Sequence, residues 1–521
     1  MRLLLSFFVA TCAVLWSSTV ASETLPAGGF SSPQTLSDEL KVSLKKVRAS
    51  CVAVNAGVTA SGVIISPEGW VITAAHVIRS AKDGRPFRIT LEDGRQAVAE
   101  PLGYNRESDF GLLRITSPSI DSWPHCTLAE TSAITGDFCF TLAHPSGLQR
   151  GRPAQVRMGR IMTHNVARGR PQYLIADCNI QPGDSGGPLF SMKGELIGLD
   201  SSAAGFLGFN VFPAIDQFHL DRERLLAGDR WGDQKKSPNG PEFSKMQLTK
   251  ETIDNVQAEF MRRLQMKYPP TMDFVQTLAN EKGEISMNRQ AVLGHMGHAV
   301  FAIARQQALS LGMDDPSLSM ALEPLPNDAV KGLPVHVDGA RVGFALALDE
   351  RHLLTKASLL SADHKTGVRV GDRVLAAKSV ARDEAWDLAL LQVEEDLSVA
   401  PVKWPASPAA VEAGDLLVAR DHADRLIWNI ATDRARPVTK ARSVGPLLDE
   451  SIISKHRAPY PEVIRHALPL VGRDAGMPVF DSSGNLVGMH IARFTRIVGL
   501  IIPVTLLEAR AEALLAQAGD E

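Results

Sequence analysis

Long hydrophobic runs are missing beyond the first two dozen residues: nowhere later does the chain hold the ~18 unbroken apolar residues that a membrane-spanning helix needs. A surplus of either charge is missing too. Lysine and arginine number 55 against 58 aspartate and glutamate, a formal net charge of −3, so no basic field exists to gather nucleic acid. Cysteine is scarce, at 5 in 521 residues, with no CxxC pair and no cysteine–histidine spacing that suits zinc. No motif implies a cofactor or a metal. One local exception is His295 and His298 in "GHMGH", three apart, for which solvated or packed histidines are the plainer explanation than metal ligands.

What is present begins with "MRLLLSFFVATCAVLWSSTVASE": one arginine, an apolar core, then small residues suited to signal-peptidase cleavage near Ala21 or Ser22. Residues 1–22 are therefore expected to be a secretory signal, leaving a mature chain that is periplasmic or secreted and carries no membrane segment after cleavage. Cys12 leaves with the signal. Cys51, Cys126, Cys139 and Cys178 remain; an oxidising compartment permits disulfides among them in three pairings, and buried free thiols are the alternative.

At this length the chain exceeds one ordinary core, and a domain prior of roughly 100–200 residues suggests about three units. Leu36, Leu40, Leu44 and Val47 recur at helical spacing, with Asp38 and Glu39 early and Lys45 and Lys46 late, which predicts a short amphipathic helix. Short β-rich runs then follow, such as "SGVIISPEGWVITAAHVI" and "DFGLLRI", broken by Gly, Pro and Asp turns as in a barrel or sandwich. From about Asp221 the texture turns charged and helical, with "DRWGDQKKSPNGPEF" as a linker, one helix capped by Thr249 and another from about Asn288 to Leu311. The β-rich texture returns near Leu333.

Two loops carry the chemistry. "QPGDSGGPLF" puts Ser185 in a glycine-rich turn, where a substrate carbonyl can approach the backbone N–H groups of Gly183 and Ser185. Serine-based hydrolysis also needs an imidazole to take the hydroxyl proton and a carboxylate to orient that imidazole. "ITAAHVI" supplies His76 at the end of an apolar strand, beside small Ala74 and Ala75, and "SDFGLLRI" supplies Asp109 just before another. The order His76, Asp109, Ser185 makes the combination far less accidental than any member.

On these motifs the chain resembles the trypsin-like serine proteases, and within them the HtrA (DegP-like) branch, over roughly Val47 to Leu226. "ASGVIISPEGWVITAAHVI", "GDFCFTLAHPSG", "GDSGGPLF", "GELIGL" and "GFNVFPAI" follow in that branch's order. The resemblance implies two six-stranded β-barrels with the triad between them, no cofactor, and protein or peptide substrates. His76 becomes the base, Asp109 the orienting acid and Ser185 the nucleophile; Gly183 and Ser185 form the oxyanion hole; Ile180, Ser201 and Ser202 line a pocket for a small or medium apolar side chain, unless Asp200 points into it. Two departures stand out. Asp184 occupies the place of the branch's usual asparagine, yet no "IVGG"-like start exists upstream to pair with it, so its partner is open. No PDZ-like segment follows the protease region.

"VGRDAGMPVF" repeats the nucleophile loop, with Ala475 standing 290 positions after Ser185. The same offset maps Gly194 on Gly484 and Pro213 on Pro503, while "WDLALLQV" matches "SDFGLLRI" and "LLTKASLL" matches "VITAAHVI" with Ser358 at the place of His76. The chain reads as a duplication whose second copy keeps Asp387 but has neither base nor nucleophile. The expected architecture is mainly β: residues 23–226 an active trypsin-like double barrel, 227–332 a linker with helices, and 333–515 a degenerate twin. The expected activity is serine endopeptidase. A polypeptide-binding scaffold or chaperone is the rival, an esterase-like hydrolase the third reading, and an oligomer is compatible with all three.

Overall fold

Strands in this chain are of two kinds: Phe138–Ala143 and Leu486–Arg493 are buried along their whole length, whereas Gln96–Asn105 and Arg373–Asp383 mix buried with exposed positions and turn one face to water. Strand β1 (Cys51–Asn55) sends Val52 and Val54 into one apolar cluster and Cys51 into another. The computed structural model describes residues 33–55, 57–80, 86–133, 136–145, 153–167, 170–203, 210–232, 248–249, 284–285, 330–361, 363–420, 426–441, 453–495 and 497–519. The signal segment 1–22, the His295/His298 pair, and the helices expected after Thr249 and over 288–311 lie outside the described residues. Within the expected connector, Leu248–Thr249 (β16) pairs antiparallel with Glu284–Ile285 (β17), a short ladder the sequence did not suggest.

The first copy opens with β1, β2 (Thr59–Ile64), β3 (Trp70–Ala74), β4 (Phe87–Leu91), β5 (Gln96–Asn105) and β6 (Phe110–Ser117), and the β5–β6 pairing closes these six into a ring. Its second sheet runs from β7 (Thr127–Leu128) through β8 (Phe138–Ala143), β9 (Gln155–Ala167), β10 (Arg170–Ala176), β11 (Pro188–Ser191) and β12 (Glu195–Leu199) to β13 (Ser202–Ala203) and β14 (Asn210–Pro213). A bridge between Gly198 and Ala214 brings the two ends of its six main strands together. The helix Ile215–Leu226 follows. Beyond it Arg230–Trp231 (β15) adds a parallel strand to β5, Tyr104 N–H donates to Asp229 C=O (3.0 Å), and Arg224 stacks over Trp231, so contacts with the first copy continue past the helix to Trp231.

The second copy is two closed barrels: β18 (Leu333–Val337), β19 (Ala340–Ala347), β20 (His352–Lys356), β21 (Thr366–Val370), β22 (Arg373–Asp383) and β23 (Leu388–Val393), then β24 (Leu416–Arg420), β25 (Leu426–Val438), β26 (Tyr460–His466), β27 (Pro478–Asp481), β28 (Leu486–Arg493) and β29 (Gly499–Pro503). A closing helix, Val504–Gly519, stands where Ile215–Leu226 stands in the first copy and extends a little past the expected end at 515. The mainly β, double-barrel architecture expected from the sequence is the one observed.

The N-terminal helix Pro33–Val47 starts with proline at its first position, where the missing N–H has no intrahelical role, and ends with Lys45 and Lys46 at the negative pole. Its stripe of Leu36, Leu40, Leu44 and Val47 is buried between the copies. Ser37 Oγ donates to Gly414 C=O (3.0 Å) of the second copy, Ser43 Oγ to Met192 C=O of the first, and Lys41 pairs with Asp415. Cys51, Cys126, Cys139 and Cys178 are all buried free thiols, the second of the two alternatives. Burial pushes the Cys126 thiol up to about 12, and those of Cys51 and Cys139 well above their ordinary value, so these three stay protonated.

Candidate active site

Strand β3 delivers its last residues, Thr73 and Ala74, against the first barrel wall, and the chain then turns into a six-residue helix that begins Ala75–His76. Asp109, just before β6, has φ of 59°, the left-handed region that a short polar side chain tolerates best after glycine. That backbone lets one aspartate make three bonds to the His76 turn. Ala75 N–H donates to Asp109 C=O (2.9 Å), His76 N–H to Oδ1 (3.0 Å), and His76 Nδ1 lies 2.8 Å from Oδ2. The last bond assigns the proton to Nδ1 and leaves Nε2 as the free base. Ser201 Oγ adds a fourth, to Asp109 Oδ2 at 2.6 Å.

The Ser185 turn packs directly behind this arrangement. Gly183 has φ of 99° and Gly186 of 81°. A Cβ on Gly186 would come within 2.6 Å of Ser61 C=O and 2.7 Å of Ala74 N, so only glycine fits where the turn meets the His76 strand. Ser61, on β2, is the strut that sequence reading missed. Its N–H donates to Ser185 C=O (2.9 Å), its hydroxyl donates to Gly183 C=O (2.9 Å) and accepts from His144 N–H (2.9 Å), and Thr73 Oγ1 donates to its carbonyl (2.8 Å). Among the described residues, the N–H groups of Gly183 and Ser185 donate to no protein acceptor, whereas Asp184 N–H and Gly187 N–H are tied to Gln181 and Asp184 carbonyls. No hydrogen bond joins Ser185 Oγ to His76 among the described residues; such bonds commonly tighten only when substrate is bound.

Each residue expected in the pocket has a definite place. Ile180 is buried in the shared apolar core. Ser201 is committed to Asp109 and belongs with the His76–Asp109 pair, while Ser202 is exposed at the start of β13. Asp200 is wholly buried beneath the turn, and Thr141 Oγ1 reaches both its oxygens (2.9 and 2.7 Å). Burial first, then the neighbouring Asp184, pushes its carboxyl well above the usual range. Asp184 itself faces Arg157 Nη2 at 2.8 Å. Neither Ser61 nor Arg157 carries a sequence signal: one is a serine inside a strand, the other a basic residue in a run whose neighbours are also buried.

With Phe344 in place of Ser61, and so without the two hydroxyl bonds of that strut, the second copy repeats the backbone bonds of this scaffold. Ala357 N–H donates to Asp387 C=O (2.8 Å), Ser358 N–H to Asp387 Oδ1 (2.7 Å), Phe344 N–H to Ala475 C=O (2.8 Å), and Gly476 N–H to His490 C=O (2.7 Å). Asp387 has the same left-handed backbone, φ 55°. Two further things differ. Ser358 Oγ takes the imidazole's place on Asp387 Oδ2 (2.9 Å), joined there by Tyr460 OH (3.1 Å) and the buried Lys356 ammonium (3.0 Å). The nucleophile turn becomes a 3-10 turn over Gly472–Asp474, and Ala475 N–H folds back onto Gly472 C=O at 3.4 Å. Arg473 stands where Gly183 stands, and a side chain there opposes the positive φ that keeps the first turn open.

A family model for the trypsin-like peptidase domain matches residues 60–199 and again 342–489, together more than half of the chain. Over 438 residues the chain is 25% identical to a probable periplasmic serine endoprotease, DegP-like, of Halomonas elongata, covering 74% of this chain and 76% of that protein. It is 32% identical over 160 residues to the chloroplastic protease Do-like 1 of Arabidopsis thaliana, covering 29% of this chain and 36% of that one, so the match spans about a third of the plant protein. Among solved structures, the serine endoprotease from Yersinia pestis matches at 24% identity with a TM-score of 0.31, over 36% of this chain and 66% of that one. The chain belongs to the trypsin-like peptidase family, on its DegP-like branch, and carries that domain twice.

Proposed function

We propose that the protein is a periplasmic or secreted serine endopeptidase in which residues 33–231 do the chemistry and residues 333–519 are a catalytically silent twin. The observation that carries this reading is the His76–Asp109 pair at 2.8 Å set against a turn whose Gly183 and Ser185 N–H groups have no protein acceptor among the described residues. In that arrangement His76 Nε2 takes the proton from Ser185 Oγ as the oxygen attacks a peptide carbonyl carbon. The carbonyl oxygen gains negative charge and accepts hydrogen bonds from Gly183 and Ser185 N–H. Asp109 stabilises the resulting imidazolium, which then protonates the leaving amine as the C–N bond breaks. Water, deprotonated by the same imidazole, releases the acyl group from Ser185. Ile180 and Ser202 border the region for a small or medium apolar side chain, while the hydroxyl of Ser201 serves to hold Asp109.

Silence of the twin is supported by three features together: no imidazole at Ser358, no nucleophile at Ala475, and an oxyanion donor already bonded to Gly472. Relatives bearing names of periplasmic endoproteases support the compartment and a polypeptide substrate.

A fluorophosphonate probe tests the reading. Wild type should label, and Ser185→Ala should not. Ser185→Ala, His76→Ala and their double variant should fall to one similar residual rate, because triad members act as a unit. A wild-type chain that resists labelling would leave the polypeptide-binding scaffold as the better account, and turnover of esters without peptides would favour the esterase.

A further inference from the structure

The residue directly before the nucleophile is a wholly buried carboxylate: Asp184 is 0% exposed. It is also the residue that shapes the turn, since its Oδ2 accepts Gln181 N–H (2.8 Å) and its carbonyl accepts Gly187 N–H (2.7 Å). A buried ionised carboxylate persists only against a cation. That cation is Arg157 of β9, whose side chain is 1% exposed and whose Nη2 lies 2.8 Å from Asp184 Oδ2. Asp200 completes the group from the other side. Its backbone clamps the turn, with Gly186 N–H donating to Asp200 C=O and Asp200 N–H to Gly187 C=O, both 2.7 Å. Its carboxyl, held well above the usual range by burial, keeps its proton, so one guanidinium faces one carboxylate.

The twin supplies an internal comparison. In the β8–β9 ladder Arg157 stands opposite Thr141, and the same rung of the β24–β25 ladder holds Ile427 opposite Ala419. The carboxylate survives there as Asp474, with its Oδ2 still on Val471 N–H at 2.8 Å, but the strand position that supplies the guanidinium is aliphatic and the turn is closed.

We infer that Arg157 is the positioning residue of the nucleophile turn: acting through Asp184, its fixed internal cation holds the Gly183 and Ser185 N–H groups outward, so the site is assembled without any newly cut chain terminus. This rests on Ser185 being the nucleophile, and the experiment separates the two. Full-length wild type, Arg157→Met, Arg157→Lys and Arg157→Met/Asp184→Asn are compared for fluorophosphonate labelling rate and for kcat and KM on a peptide, with circular dichroism as the check on folding. Arg157→Met should lower labelling and kcat by about 10²–10³-fold, the scale of a lost oxyanion donor, while KM moves only a few-fold. The double variant, free of both buried charges, should regain at least about tenfold over the single. A folded Arg157→Met that labels within twofold of wild type overturns the inference, and so does a double variant no better than the single. If Arg157→Met does not fold, Arg157→Lys decides: lowered kcat at similar KM supports the inference, and unchanged kcat overturns it. Failure of the wild type itself to label refutes the nucleophile and not the role of Arg157.

Discussion

Asp109 and Asp387 occupy the same strained backbone, one beside a turn that carries His76 and the other beside a turn that carries Ser358. Chemistry alone does not account for that, because in both copies the aspartate also receives the two N–H groups that start the short helical turn, Ala75 and His76 in one, Ala357 and Ser358 in the other. A residue with two duties is retained when one of them ends. In the twin the carboxylate has gained a third duty, as counter-ion to Lys356, whose side chain is 2% exposed and whose Nζ also donates to His456 and Ile491 carbonyls at 2.8 Å. Burial holds the Lys356 ammonium below its ordinary range and Asp387 opposes that pull. Asp387→Ala should therefore leave a buried cation unpaired and destabilise the chain by about 3–5 kcal/mol, measured by urea denaturation. Asp387→Asn with Lys356→Met removes both charges and should cost clearly less. Equal losses in the two variants would mean that the pair is not what Asp387 holds together.

At the scale of elements, the strand runs and the duplication were legible, and His76, Asp109 and Ser185 stood out as candidates, because each is a local pattern: alternation, turn residues, and a histidine or serine in a recognisable string. The Ser201–Asp109 bond, the Ser61 strut and the Arg157–Asp184 pair were not, since each joins strands far apart in the chain through residues that are ordinary in their own neighbourhoods. The short strand Arg230–Trp231 was hidden for the same reason. Nothing in "DRW" announces a strand until Tyr104 and Asn105 offer an edge. The Ser185 turn is an intermediate case: its string is recognisable in both copies, but only the geometry separates the two bulky replacements in the second, Arg473 for Gly183 and Met477 for Gly187. Arg473 occupies the position that needs a positive φ, whereas the Met477 sulfur lies against Gly332 at the mouth of β18. Side chains alone should consequently not revive the twin. Ser358→His with Ala475→Ser, tested in a Ser185→Ala background, should give no fluorophosphonate labelling, because Ala475 N–H is bonded to Gly472 C=O and a misplacement of about 1 Å costs roughly a hundredfold. Labelling of that variant would show that the turn opens readily and that missing groups alone keep the copy silent.

At the scale of the whole molecule the two copies share one apolar core. Leu36, Leu40 and Leu44 of the N-terminal helix join Phe140 and Leu189 of the first copy to Leu416, Val418 and Phe480 of the second, and Phe138 meets Trp428 with ring centroids 5.8 Å apart. Each buried leucine contributes about 1.5–3 kcal/mol, so separating the copies forfeits a sum comparable with the ~5–15 kcal/mol net stability of a whole domain. The described residues should then melt as one unit: calorimetry at pH 7 should give a single transition, and Leu40→Ala should lower it as a whole by about 2–5 kcal/mol. Acid should lower it as well, from within the twin. His466 and His490 are wholly buried, with Nε2 of the first 3.1 Å from Nδ1 of the second and Arg493 nearby. Burial drives His490 down to about 3 and His466 well below its ordinary value, so the folded chain keeps both neutral where the unfolded chain takes up protons. Their contribution is present above pH ~6.5 and is lost progressively below it, by up to roughly 2 kcal/mol per group at pH 5. If the core is common, that loss reaches Ser185: the temperature at which labelling disappears should fall between pH 7 and pH 5, and His490→Gln should fall less. Two calorimetric transitions, with only the one lacking Ser185 responding to acid, would show instead that the copies stand independently and that the helix between them is a tether.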